Sequence, residues 1–157
     1  MKRLFLILVL VLFSCGIENP ESAMEFGAPL GLEAIVSNDG IFLSFYGFNN
    51  ETYFEGYNIY ISENKAELEN FSVLGRRILS NETATNKPTI EQTPFSSGPR
   101  TFTFFLTKDY YTTTNNTSVM SETLLLSNTY FFTVRAYGNG IISRKYANIA
   151  TCFYVTN

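Results

Sequence analysis

Leu126-Ser127-Asn128-Thr129-Tyr130-Phe131-Phe132-Thr133-Val134-Arg135-Ala136 is the stretch that decides the fold. Tyr130, Phe132, Val134 and Ala136 fall at every second position, with Phe131, Thr133, Arg135 and Tyr137 between them. A period of two belongs to a strand, whose side chains point to opposite faces in turn. Gly138-Asn139-Gly140 then turns the chain, and Tyr146–Val155 reads as a last strand. The pattern recurs upstream. Leu30, Leu32, Ala34 and Val36 form a first run, and Asp39-Gly40 is a short-turn signal. Ile41, Leu43 and Phe45 alternate with Phe42, Ser44 and Tyr46. Tyr57, Ile59 and Ile61 alternate with Asn58, Tyr60 and Ser62. Such alternation predicts an all-β, antiparallel sandwich whose strands have one buried and one wet face.

Composition agrees. The chain has 157 residues, 45% hydrophobic, which suits one folded domain. Its aromatics are 15 Phe and 10 Tyr with no Trp, and rings favour strands. There is no histidine, which removes Ser-His-Asp and Cys-His catalysis and any His-ligated metal. The net charge of −3 disfavours a nucleic-acid partner.

The strands, taken in order, resemble a fibronectin type III domain. Pro29-Leu30-Gly31-Leu32 opens its strand A, Ile41–Phe45 is strand B, and Gly56–Tyr60 is strand C. Leu126–Ala136, followed by Gly140 and Ser143, resembles the E–F corner and strand F. The resemblance implies that Tyr130 is a corner tyrosine, with its ring in the core and its hydroxyl on backbone just upstream. Phe45 stands where the family usually has Trp. Residues 29–157 exceed the ~100 residues of such a sandwich, and the excess is a long insertion between strands C and F. Within it, Asn64 and Glu67 are spaced to cap one helical turn. Phe71–Leu79 and Thr101–Thr107 read as strands, Asn81–Arg100 as a long loop, and Tyr110–Ser118 as a polar stretch. An immunoglobulin-like sandwich of different topology accounts for the same alternation.

The N-terminus reads as an address. Lys2 and Arg3 precede an apolar run, Leu4–Phe13, of ten residues. That is about half of what a helix needs to span a bilayer and is of signal-peptide length. The run ends in Leu12-Phe13-Ser14-Cys15-Gly16, which resembles the lipobox of bacterial lipoproteins, though Phe13 is bulkier than usual. The resemblance implies cleavage after residue 14, a diacylglycerol thioether on Cys15 and an acyl chain such as palmitate on its new amine. More than one chain gives stable anchoring. Residues 1–14 are then a signal peptide, residues 15–28 a lipidated flexible tether, and residues 29–157 the sandwich. The thirteen residues after Cys15, Gly16–Ala28, reach on the order of 20 Å. Cys152 is left as the one thiol, so no internal disulfide is expected.

Chemistry is sparse. Glu63, Glu67 and Glu69 cluster after strand C, and Glu51 and Glu55 flank Thr52–Phe54. Glycoside hydrolysis needs two carboxylates across a cleft, and a solvated acidic edge accounts for these. Arg76-Arg77 reads as a solvated turn. No calcium-loop motif occurs, so neither metal nor cofactor is expected. If Tyr57 and Phe132 face the core, Tyr60, Phe131, Arg135 and Tyr137 face outward. Exposed rings beside an Arg are hot-spot ingredients, and these four are the candidate binding face. The expectation is a non-enzymatic lipoprotein of the bacterial cell envelope, held to a membrane by its lipid anchor on the periplasmic or surface side. It presents a sandwich that binds protein or carbohydrate. The alternatives are a structural spacer without a ligand and, last, a carboxylate-based hydrolase.

Overall fold

The computed structural model describes residues 26–92, 98–114 and 118–155. Cys15 and the signal segment lie outside them. The strands are β1 (Leu30–Ser37), β2 (Gly40–Gly47), β3 (Gly56–Ser62), β4 (Arg76–Leu79), β5 (Ile90–Glu91) and β6 (Arg100–Thr107). They continue with β7 (Asp109–Thr114), β8 (Ser118–Thr123), β9 (Asn128–Gly138), β10 (Ile141–Ile142) and β11 (Ala150–Tyr154). One short helix, α1 (Lys65–Glu69), follows β3. A small sheet has the order β1-β2-β6. The larger sheet runs β10-β9-β3-β4-β7-β8, with β11 also on β9 and β5 also on β3. Every pairing is antiparallel.

The inward faces of both sheets meet in one core. The small sheet contributes Leu32, Ile41, Leu43, Phe45, Phe102 and Leu106. Against them lie Tyr57, Ile59 and Ile61 of β3, Phe132, Val134 and Ala136 of β9, and Cys152 and Tyr154 of β11. These are the alternate residues of the sequence pattern. Phe45 stacks on Phe102 with centroids 5.3 Å apart and meets the Tyr57 ring edge-on at 5.1 Å. Tyr130 is buried, and its hydroxyl accepts the Leu125 N–H at 2.8 Å.

Local chemistry sets the joints. Asn38 and Asp39 make the two-residue hairpin between Ser37 and its partner Gly40. Gly31, at φ 62°, inserts one extra residue into β1 where the register to β2 shifts. Such a bulge requires a left-handed residue, which Gly supplies. The adjacent Leu32 backbone is freed from the ladder. Its N–H donates to Asn148 Oδ1, and its carbonyl accepts from Asn148 Nδ2, both at 2.8 Å. Asn64 caps α1 by accepting the Ala66 N–H. Glu67 does not return to the Asn64 N–H; Ser62 stands between them, accepting from Asn64 and donating to Glu67 at 2.6 Å.

Several expectations are corrected. Phe26, assigned to the tether, lies fully buried with its ring 5.4 Å from Tyr53 and 5.8 Å from Phe54. Packing therefore starts before Pro29, because one aromatic residue can dock without any local periodicity. The Phe71–Leu79 strand begins only at Arg76, because Leu74 (φ 60°) and Gly75 (φ 67°) are left-handed and break it. Of the polar Tyr110–Ser118 stretch, Tyr110–Thr114 lies in β7 and Ser118 opens its partner β8. The last strand is confined to Ala150–Tyr154.

Candidate functional site

The four residues of the expected binding face do not form an exposed patch. Tyr60 is 3% exposed and Arg135 0%, while Phe131 and Tyr137 are half-buried. The parity argument holds, since Tyr57 and Tyr60 take opposite faces of β3, and β3 does pair with β9. The premise that the second face is wet fails, because every residue of β3 is buried.

That second face carries a polar layer roofed by α1 and two returning segments. The Arg135 guanidinium donates to the carbonyls of Leu68 at 3.1 Å, Ser143 at 3.3 Å and Arg144. It also lies against the Tyr146 ring at 4.5 Å and the Phe71 ring at 5.4 Å. Arg77, expected on a solvated turn, is 3% exposed. Its terminal nitrogens donate to Asn58 Oδ1 at 3.4 Å and to the carbonyls of Lys87 and Thr85. Thr89 accepts the Ile59 N–H and donates to the Ile78 carbonyl. Desolvation lowers the pKa of both guanidinium groups and pushes the Tyr60 hydroxyl up to about 12. These side chains are structural cross-braces between strand and roof. Arg76, by contrast, pairs with Glu122 at 2.8 Å.

The exposed apolar surface lies instead on the outer face of the small sheet. Cross-strand register places Ile35 of β1 opposite Phe42 of β2, and Phe42 opposite Phe105 of β6. The three are 61%, 50% and 37% exposed. The Phe42 and Phe105 rings are 4.4 Å apart between centroids. Ser44 stands between Glu33 and Thr103 in one rung, and Leu30–Tyr46–Thr101 forms the rung beyond it. Leu30 and Tyr46 are also exposed. The result is two apolar rungs flanking a polar one on a three-stranded surface. Sequence reasoning did not single these residues out. Their parity was legible, since Phe42 and Tyr46 share the face of Ser44, and Phe105 shares that of Thr103. What brings them together is the pairing of β2 with β6, which no local signal specifies.

A groove of about 490 Å³ is bordered by Tyr53, Glu55, Lys87, Pro88, Glu91 and Asn139. Its two carboxylates are engaged. Glu55 accepts the Asn139 N–H at 2.8 Å, and Glu91 pairs with Lys87 at 3.0 Å. Of the Glu cluster after β3, Glu67 holds Ser62, and Glu69 pairs with Lys65 at 3.5 Å along α1. Cys152 is buried in the core, and burial raises its thiol pKa to about 11, so the thiolate needed for nucleophilic chemistry is suppressed. Comparison with family models, with curated proteins and with solved structures returns no match.

Proposed function

We propose that the chain is a lipid-anchored protein of the bacterial envelope whose sandwich is a non-enzymatic interaction module. The observation that carries the reading is the exposed Ile35–Phe42–Phe105 rung with Leu30 and Tyr46 beside it. Clustered exposed rings on a flat surface are unfavourable in water and gain when a partner covers them. The exposed rings and the polar Glu33–Ser44–Thr103 rung between them suit a protein or a carbohydrate partner.

The fibronectin type III reading of the domain draws support from strand order. The first, second and sixth strands share the small sheet, and β3 and β9 are central neighbours in the other, with β11 beside β9. The Tyr130–Leu125 hydrogen bond is a further point in its favour. The β7–β8 hairpin is then the part of the long insertion that extends the larger sheet beyond β4. The lipid anchor rests on the lipobox resemblance around Cys15 alone. A membrane lipoprotein with an apolar docking face holds its partner near the bilayer, within the reach of its tether.

The docking face is tested in cells with the full chain. A photo-crosslinking residue replaces Thr103, in the polar rung between the two apolar ones. A discrete adduct is expected, and it disappears in a Phe42→Ser/Phe105→Ser variant that still melts cooperatively. Absence of any adduct, or an adduct unchanged by the double substitution, defeats the docking reading. The anchor is tested by Cys15→Ser, which is expected to abolish lipid labelling and release the protein from the membrane fraction. Unchanged labelling defeats the lipid assignment.

A further inference from the structure

The polar layer behind β3 encloses a second, much smaller cavity of about 80 Å³. Tyr60, Ser72, Arg77 and Thr113 line it together with Val73, Leu74 and Ile142. Tyr60, Arg77 and Thr113 are each more than nine-tenths buried, at 3%, 3% and 1% exposure. Two of them carry polar atoms that make no hydrogen bond within the chain, Arg77 Nε and Thr113 Oγ1. Tyr60 accepts from Asn58 Nδ2 at 3.5 Å, which leaves its own O–H free to donate. No acidic residue lines the cavity. Arg77 has only neutral oxygens around its terminal nitrogens, those of Asn58, Lys87 and Thr85.

A guanidinium buried without a counter-charge is costly, and a buried donor without an acceptor adds to that cost. Both are relieved by one small anion. We propose that this cavity is a binding site for a small monocarboxylate of acetate size. Its charge neutralises Arg77, and its oxygens accept from Arg77 Nε–H, Thr113 Oγ1–H and the Tyr60 hydroxyl. Its alkyl end faces Val73, Leu74 and Ile142. The size agrees: at about 30 Å³ per water in the liquid, the cavity holds two to three waters' worth, or one ion of about four heavy atoms. A doubly charged oxyanion is disfavoured, because one cation serves the site and half of its wall is apolar. The site stands on the opposite sheet from the aromatic ladder, so it does not depend on the docking reading.

The test uses the purified full chain at pH 7, titrated with sodium acetate and, at matched ionic strength, with sodium chloride or sodium sulfate. Acetate is expected to raise the unfolding midpoint saturably, with little response to the other two salts. Saturation-transfer NMR on the acetate methyl group reports binding directly. Thr113→Val keeps the shape of a side chain whose hydroxyl has no internal partner, so it folds, and it is expected to weaken acetate at least tenfold. Tyr60→Phe is expected to weaken it less. Equal midpoints in acetate and chloride with no saturation transfer overturn the proposal. So does acetate affinity unchanged in Thr113→Val, or a crystal grown in acetate whose cavity holds only water.

Discussion

Replacing Arg135 by Met separates a structural brace from a binding residue. Met keeps an unbranched apolar stem but removes every donor. The carbonyls of Leu68, Ser143 and Arg144 then lose their shared partner, and the Tyr146 ring loses its cation. Hydrogen bonds to a charged group contribute about 1.5–3 kcal/mol each. Arg144 is exposed, so water reaches its carbonyl and two losses count in full. Against these stands the relief of no longer burying a guanidinium whose pKa desolvation already lowers. The net expectation is a loss of about 3–4 kcal/mol, as for breaking one half of a buried polar pair. That is a large share of the roughly 5–15 kcal/mol that holds a domain folded. It corresponds to a midpoint about 10–15 °C lower for a domain of this size. The assay is thermal unfolding followed by circular dichroism on the wild type, Arg135→Met and Arg135→Lys. Lys restores the charge and some of the donors, and is expected to fall between the other two. A Met variant melting within about 2 °C of the wild type refutes the brace.

Other perturbations probe other parts of the fold. Tyr130→Phe leaves the Leu125 N–H without its acceptor and is expected to cost about 1 kcal/mol; Tyr130→Ala, a buried aromatic truncation, about 3–5 kcal/mol, both read by urea denaturation. Gly138→Ala places a Cβ 2.0 Å from the Tyr53 carbonyl oxygen, so the 53–54 turn must shift, and a lower midpoint with weaker packing of Phe54 is expected. The Cys152 thiol has its pKa raised by burial from 9.0 to about 11. Its contribution is whole below about pH 9 and is lost as pH climbs to about 11, because the unfolded thiol ionises first. Stability is expected to fall by about 2–3 kcal/mol over that window, and less steeply in Cys152→Ala. The same thiol is expected to react with a disulfide reagent only on unfolding.

The sequence carried the strands wherever one face is apolar. Tyr130, Phe132, Val134 and Ala136 announce β9 because burial on that face demands every second residue. The other face of β3 and β9 was illegible for a physical reason. Asn58, Tyr60, Thr133 and Arg135 are polar, and polarity reads as exposure. Thr133 and Arg135 are buried because backbone carbonyls from distant segments satisfy them, and a backbone acceptor leaves no mark in the residue string; Asn58 and Tyr60 bond side chains instead, each other and Arg77. Arg77 was missed in the same way. The aromatic ladder was half visible: Phe42 and Tyr46 advertise an apolar outer face on β2, but Phe105 joins them only through a pairing more than sixty residues away in the chain.

The clasp between Leu32 and Asn148 joins the first strand to the segment just before the last across 116 residues. The small sheet is only half local, because β6 must travel back to the β1–β2 hairpin before that sheet has its third member. Loop closure on this scale comes before any reward in contacts, and sandwiches of such topology fold in milliseconds to seconds. The order of events is thereby constrained. The β1–β2 and β7–β8 hairpins can form as soon as their own residues are available, but β1 stays unlatched until Asn148 arrives. During that interval the inward rings of β2 and β3 are uncovered, and the chain is most exposed to sticking to its neighbours. Loss of the last ten residues would therefore act at the far end of the molecule, releasing the bulge at Leu32 together with the strand that leads back toward the N-terminus.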